Sequence, residues 1–515
     1  MFYFIAYIEF NKLIFQDSFM IKPIHFIPLF FLVFSMGISQ DREIPIDTTV
    51  VTKHQTKIKG QNIDYTAHTG TQPVWNQDGQ AIATLFYTYY QRDNVSNIAK
   101  RPIIFSFNGG PGSASVWMHM AYTGPYILKV DHEGYPVQPY GYKQNPYSIL
   151  DVADIIFINP VNTGYSRILE VDGIKEPRES FFGIDADIKY LAEWLNTFVT
   201  RYQRWESPKY LIGESYGGTR VMGLSLALQN QQWMYLNGVI LVSPADYQVY
   251  RTGGPVAISL NLPYYTATAW HHQKLDTNLQ SQDLYDILPE AEDFAINELL
   301  PAIAQGGFIE WEHKNTIAEK VAYYSGLSKQ AVLDNNLQVP TSFFWKELLR
   351  SEGKTVGRLD SRYLGVDVKD AGDQPDYNSE LTSWLHSFTP AINHYIRTKL
   401  NFKTDIKYNM FGPVRPWEND NINVRDDLRQ AMAQNPFLKV LTQSGYYDGA
   451  TTYFNAKYTM WQVDPRGAFK DRFSFKGYRS GHMMYLRYPD LIQSNEDIRE
   501  FITNSSTNGA PAKYD

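Results

Sequence analysis

The sequence predicts an α/β fold: a mostly parallel central sheet with helices on both faces, interrupted by a mainly helical cap insertion. Three observations point there. Short apolar, β-branched runs recur and each ends in turn chemistry; an amphipathic helix lies between two of them; and this rhythm stops near residue 246 and resumes after residue 410. The runs are Ile103–Phe107 before Asn-Gly-Gly-Pro-Gly, Ile155–Ile158 before Asn159-Pro160, Tyr210–Ile212 before Gly213, and Val239–Val242 before Ser243-Pro244. Unbroken apolar runs suit strands covered on both faces. Between the second and third, Glu179–Trp205 spaces Ile184, Ile188, Leu191, Leu195 and Phe198 by three or four, which predicts a helix with one apolar stripe. Alternation around Ala81–Tyr90 predicts an earlier antiparallel hairpin. Helical patterns then dominate, as in Leu284–Gln305, Thr316–Gly326 and Leu381–Leu400, before strand signals return at Leu438–Thr442 and Arg472–Phe475. The expected organisation is a core in two parts, 40–245 and 411–503, a cap at 246–410, and a polar tail at 504–515.

Composition bounds the function classes. The 515 residues carry 47 basic against 54 acidic side chains, a net charge of −7, so no nucleic-acid partner is expected. Cysteine is absent, which excludes disulfides, Cys-ligated zinc, iron–sulfur clusters and a thiol nucleophile. A mean hydropathy of −0.36 excludes a multi-span membrane protein. Ile24–Ile38 is a short apolar stretch interrupted by Pro28, preceded by Lys22 and followed by small residues Gly37 and Ser39 before Gln40. Residues 1–39 therefore read as a signal region, with Met20 as a possible true start. The mature protein is expected to be exported, periplasmic or extracellular, without a stable membrane anchor.

Gly213-Glu214-Ser215-Tyr216-Gly217 is a G-x-S-x-G motif entered by a predicted strand and left by the helical pattern Thr219–Gln229. A strand-to-helix turn that tight crowds the residues beside its apex and holds the serine at the carboxyl end of the sheet. A serine hydroxyl needs a base to take its proton, and the base needs an orienting acid. Asp448 follows the strand Leu438–Thr442, and His482 follows the strand at Arg472–Phe475. The chain order Ser215, Asp448, His482 is that of α/β-hydrolases. Asp246, after Val239–Val242, is a rival acid. The adjacent His271 and His272 read as surface or cap residues, and without H-E-x-x-H a zinc peptidase is not indicated. Oxyanion donors are expected from the N–H of Tyr216 and from Gly110 in Asn108-Gly109-Gly110-Pro111-Gly112.

These motifs resemble the serine carboxypeptidases, exopeptidases of α/β-hydrolase fold. The resemblance rests on Phe107–Ser115 (FNGGPGSAS), Ile158–Ser166 (INPVNTGYS), Gly213–Gly218 (GESYGG), Gly445–Asp448 (GYYD) and Ser480–Met484 (SGHMM), in the family's order across about residues 60–505. The related prolyl aminopeptidases have histidine before Gly-Gly-Pro-Gly, where this chain has Asn108. The resemblance implies a serine-type carboxypeptidase acting on peptide or protein C-termini, with no metal or organic cofactor. It implies that Asn108, the Gly109 N–H and Glu214 hold the substrate's terminal carboxylate. Two carboxyl groups in hydrogen-bond reach share a proton, so such binding is expected to favour acid pH.

The chain also departs from the family pattern. Ser106 stands where a tryptophan is usual, Asn159 replaces a glutamine, and Tyr122-Thr123-Gly124-Pro125 places a phenol where an acid is common. Trp117, Tyr122, Tyr216 and Tyr446 are candidate pocket rings. Two rival readings remain at this stage: an esterase or acyltransferase on the same scaffold, and an exported binding protein with a decayed site.

Overall fold

Among the described residues the main sheet has ten strands: the short Arg167–Ile168, which pairs with β3 off the main path, and nine that run in chain order as β1 (Thr48–Ile58), β2 (Gln61–Trp75), β3 (Ala81–Arg92), β4 (Ile103–Phe107), β5 (Asp154–Ile158), β6 (Lys209–Glu214), β7 (Gly238–Val242), β8 (Lys439–Gly445) and β9 (Phe473–Tyr478). In space they follow the order β1-β2-β3-β5-β4-β6-β7-β8-β9. The first three pair antiparallel, β3 meets β5 antiparallel, and every pair from β5 to β9 is parallel. The expected hairpin is thus β2–β3, and the predicted central strands form, Ile103–Phe107 with unchanged ends and the others with ends moved by at most three residues. The computed structural model describes residues 43–171, 173–245, 253–419, 421, 423–506, 509 and 511. The signal region 1–39, the rival acid Asp246 and most of the polar tail lie outside the described residues.

The parallel strands β4 to β7 are fully buried because their apolar side chains meet helices on both faces, while the edge strand β9 is largely half-exposed. One face carries α2 (Ile184–Arg201), α3 (Tyr216–Gln232) and α5 (Val424–Gln434), packed through Ile188, Leu191, Leu195, Val221, Leu224 and Leu428. The other carries α1 (Val116–Ala121), α4 (Ser379–Thr398) and α6 (Tyr488–Ser505), through Met118, Phe388, Ile392 and Ile498. The predicted helix Glu179–Trp205 is shorter than its apolar spacing suggested. It starts after Gly183, and Phe181 and Phe182 are buried from the preceding turn instead.

Between β7 and α4 the described residues are mainly helical and enclose their own apolar cluster, built from Leu262, Ile287, Phe294, Ala318, Val321 and Phe344. The continuous pattern Leu284–Gln305 is broken in the structure. Leu284–Phe294 is helical, Ala295–Leu299 winds as a π-turn, and Leu300–Ala304 resumes. Pro301 lacks the N–H that a regular helix would use there, which accounts for the local change of winding. His271 and His272 sit at the last turn and C-cap of Leu262–His271, His272 Nε2 lying 2.7 Å from the Ser361 carbonyl.

Parallel order places all carboxyl ends of β4 to β9 on one edge. β4 and β6 are neighbours although β5 separates them in sequence, and this is where a crevice opens in such sheets. The loops after β4, β6, β8 and β9 meet there.

Candidate active site

Ser215 leaves β6 and enters α3 with φ +60° and ψ −124°, a strained conformation for a residue with a Cβ. The turn is held by Ser215 N–H to the Val242 carbonyl at 2.9 Å and by Gly218 and Ala245 N–H groups to its own carbonyl at 2.9 and 3.0 Å. Gly213 is required here, since a Cβ would fall 2.0 Å from the Gly217 carbonyl oxygen. The hydroxyl therefore stands clear of the sheet, at the N-terminus of a helix whose dipole favours negative charge.

His482 is fixed at three points. Its Nδ1–H donates to Asp448 Oδ2 at 2.7 Å, its backbone N–H donates to the Leu359 carbonyl at 2.6 Å, and its carbonyl accepts from Ser243 Oγ at 2.8 Å. Asp448 is fully buried, and its Oδ1 accepts the Ala450 and Thr451 N–H groups at 2.8 and 3.1 Å. Thr451 Oγ1 lies 2.7 Å from Asp448 Oδ2. The proton on Nδ1 leaves Nε2 as the basic nitrogen. Burial alone would lower the His482 pKa, but the Asp448 carboxylate, with a smaller contribution from Glu214, offsets it and the net shift is upward. Ser215 and His482 line one cavity of about 250 Å³, shared with Gly109, Gly110, Glu214 and Tyr216. No hydrogen bond joins the serine and histidine side chains, a contact that commonly tightens in a substrate complex.

The loop after β4 lies directly on the nucleophile turn. A Cβ at Gly109 would come 2.5 Å from the Tyr216 nitrogen, so only glycine allows the two backbones this close. Gly110 has φ +110°, which again favours glycine and turns its backbone toward the cavity. The expected oxyanion donors, Gly110 and Tyr216, thus line the same space as Ser215.

Glu214 is buried beside the nucleophile. Asn108 Nδ2 donates to its Oε1 at 2.8 Å and the Tyr485 hydroxyl donates to its Oε2. Burial pushes its pKa up to about 7, against the lowering effects of His482 and of both hydrogen bonds. Asn108 is placed one layer behind the cavity wall. It is fully buried, and its Oδ1 accepts the Met118 N–H at 3.1 Å, so the side chain orients Glu214 and does not face the cavity. Tyr122 does not reach Glu214 either. Its hydroxyl donates to Gln443 Oε1 at 2.6 Å, and its ring stacks on Tyr485 at 4.5 Å. The phenol that serves Glu214 is therefore Tyr485, three residues past His482, which the sequence reading did not single out. Trp117 and Tyr216 line the cavity as expected; Tyr446 packs instead against Tyr285 and Tyr453.

A buried ion pair ties these loops together. Arg220 of α3 donates through Nε to Asp187 Oδ2 at 2.7 Å and through Nη1 to the Asn108 carbonyl at 2.6 Å. The Tyr190 and Tyr216 hydroxyls also donate to Asp187, at 2.9 and 3.2 Å. Asp187→Ala leaves a buried guanidinium unpaired and is expected to cost about 3–5 kcal/mol of stability. Urea denaturation measures this. A loss below about 1 kcal/mol would show that the pair does not hold the loop.

A profile described as serine carboxypeptidase matches residues 59–462. Among curated proteins, "Serine carboxypeptidase-like 29" of Arabidopsis thaliana is 28% identical over 176 residues, 33% of each chain. "Pheromone-processing carboxypeptidase kex1" of Neosartorya fischeri is 30% identical over 191 residues, 34% of this chain and 28% of that one. "Retinoid-inducible serine carboxypeptidase" of Rattus norvegicus is 25% identical over 285 residues, 52% of this chain and 54% of that one. The matched stretches span about a third of the length of the first two relatives. A solved prohormone-processing carboxypeptidase from Saccharomyces cerevisiae superposes with a TM-score of 0.51 at 14% identity, covering 85% of this chain and 92% of that one, which supports the same fold.

Proposed function

Because the chain belongs to the serine carboxypeptidase family, we propose that it removes C-terminal residues from peptides by acyl transfer through Ser215. His482 Nε2 takes the Ser215 proton as the hydroxyl oxygen attacks the last peptide carbonyl. The Gly110 and Tyr216 N–H groups stabilise the oxyanion. The histidine then gives that proton to the departing amino group, and water, activated by the same nitrogen, releases the shortened peptide. Asp448 holds the imidazole and its charge throughout. No cofactor is required by this chemistry.

One observation carries the choice of exopeptidase: a buried carboxyl, Glu214, lines the cavity next to the nucleophile with a pKa pushed up to about 7. Protonated, it donates to a substrate carboxylate, with the Gly109 N–H as a second donor and Asn108 and Tyr485 orienting the carboxyl. Ionised, it repels that carboxylate. The expected sign follows: below about pH 7 the terminal carboxylate is bound, and binding weakens as pH rises through that value. KM for peptides should then rise by up to roughly tenfold per pH unit, while esters without a free carboxylate stay nearly flat. Glu214→Gln should remove this contrast; a persisting slope in peptide KM would reject the role of Glu214.

Timed mass spectrometry of peptide digests at several pH values tests the activity itself. Stepwise loss from the C-terminus is the expected result. Internal cuts or N-terminal loss would overturn it, and ester hydrolysis without peptide shortening would favour an esterase. Among the described residues, no helix is long and apolar enough to cross a membrane. The apolar stretch Ile24–Ile38 supports export to a periplasmic or extracellular location, where free peptide C-termini are the partners of the site.

A further inference from the structure

Arg358 lines the active-site cavity from the cap and has no assigned role. Its backbone belongs to a segment bound to both catalytic loops. The Arg358 carbonyl accepts the Gly449 N–H at 2.9 Å, the Leu359 carbonyl accepts the His482 N–H at 2.6 Å, and the Ser361 N–H donates to the Tyr447 carbonyl at 2.9 Å. The guanidinium is thus carried on the same framework as the acid and the base. It is half-buried, and among the described residues it has no hydrogen-bond, ion-pair or ring-stacking partner.

Two of the nearby carboxyl groups are bonded elsewhere: Asp360 pairs with Arg362 at 2.6 Å, and Glu214 is bonded to Asn108 and Tyr485. Glu380 accepts the Leu359 N–H through Oε1 at 2.9 Å, and its Oε2, with no hydrogen bond, feels the charge of Arg358 without pairing with it. Much of the cavity wall is apolar, through Trp117, Leu359, Leu381, Trp384, Phe411 and Met483. A guanidinium in such surroundings has lost part of its hydration without gaining a hydrogen-bonded partner, and its planar donors match a carboxylate in bidentate fashion.

Resting on the carboxypeptidase reading, we propose that Arg358 selects substrates with an aspartate or glutamate side chain among their last two residues. The sheet order separates this carboxylate from the terminal one. Gly109 comes from β4, on one side of β6, whereas Arg358 hangs from the loops after β8 and β9, on the other side. A terminal carboxylate at Gly109 and Glu214 leaves Arg358 free for a second one.

The test uses the full chain and three peptides that share an upstream sequence and end in Leu-Leu, Glu-Leu or Leu-Glu, together with an uncharged ester. One acidic peptide is expected to exceed Leu-Leu by about ten- to a hundredfold in kcat/KM. The position of its glutamate tells whether the last or the penultimate side chain is read. Arg358→Gln should abolish that advantage while leaving Leu-Leu and the ester nearly unchanged, and Arg358→Glu should turn the preference toward lysine at the same position. Equal rates for all three peptides in the wild type would overturn the inference and leave the carboxypeptidase reading intact. So would a uniform loss on all peptides in Arg358→Gln with the ester spared, because the arginine would then hold the terminal carboxylate. Protection of Ser215 from a fluorophosphonate probe by acetyl-Leu-Glu, acetyl-Glu-Leu and acetyl-Leu-Leu reads the same preference without turnover. If no peptide is shortened, the carboxypeptidase reading fails, and the protection series still decides whether Arg358 prefers an acidic ligand.

Discussion

Ser215→Ala should lower peptide hydrolysis about 10⁶-fold, the loss found when a triad nucleophile is removed from a serine protease. The reason is chemical and local. Among the described residues, Ser215 is the hydroxyl presented at the apex of a strand-to-helix turn in the cavity that His482 lines, and the expected oxyanion donors Gly110 and Tyr216 line the same cavity. The substitution is structurally mild, because alanine keeps the Cβ and therefore the same strain at φ +60°. The thermal midpoint should stay close to the wild-type value, and acetylated dipeptides should still bind. Combining Ser215→Ala with His482→Ala should cost little beyond either change alone, since the two groups act as a unit. Covalent labelling by a fluorophosphonate should vanish with the hydroxyl. A variant that keeps a hundredth of the wild-type rate, or that still takes the label, would place the nucleophile elsewhere.

The candidate triad was legible because each member follows a strand whose apolar run ends in turn chemistry, and parallel strands bring those ends to one edge. Strand positions and chain order were enough to propose Ser215, Asp448 and His482 together. The partners of Glu214 were different. Asn108 lay within a motif, but nothing in Met483-Met484-Tyr485 marks a phenol that reaches a carboxyl 271 positions earlier. That contact depends on how the loop after β9 folds back over β6, a tertiary fact with no local pattern. Arg358 was hidden for a related reason. It sits in the cap, between helices whose periodicity says which face is apolar and nothing about where the connecting backbone crosses the core. Strands β1 and β2 were also poorly marked. β1 carries Thr, Lys and Gln on a sheet face that stays largely open to solvent, and β2 buries Thr66, Thr69, Thr71 and Gln72 where an apolar run would have announced a strand.

Asp448→Asn is expected to reduce kcat by about 10⁴-fold with little change in the fold. Asn and Asp are nearly isosteric, so the Ala450 and Thr451 N–H groups keep an acceptor when the amide oxygen takes the Oδ1 position. The amide nitrogen then faces His482 Nδ1 and donates where a carboxylate accepted. The imidazole must answer with a bare Nδ1, which moves its proton to Nε2, the atom that should receive the serine proton. The titration should move as well. In the wild type the Asp448 carboxylate holds the His482 pKa above the ordinary histidine value despite burial. Without that charge the burial effect prevails and the pKa falls below its ordinary value. A base works only when neutral, so the acid limb of the residual activity should shift to lower pH. Asp448 also helps to raise Glu214, so the limb set by carboxylate binding should move slightly in the same direction. Residual peptide turnover measured from pH 4 to 8 would thus show a profile displaced toward acid and depressed at every pH. An acid limb that stays in place, or rates within tenfold of the wild type, would mean that Asp448 neither charges nor orients the base.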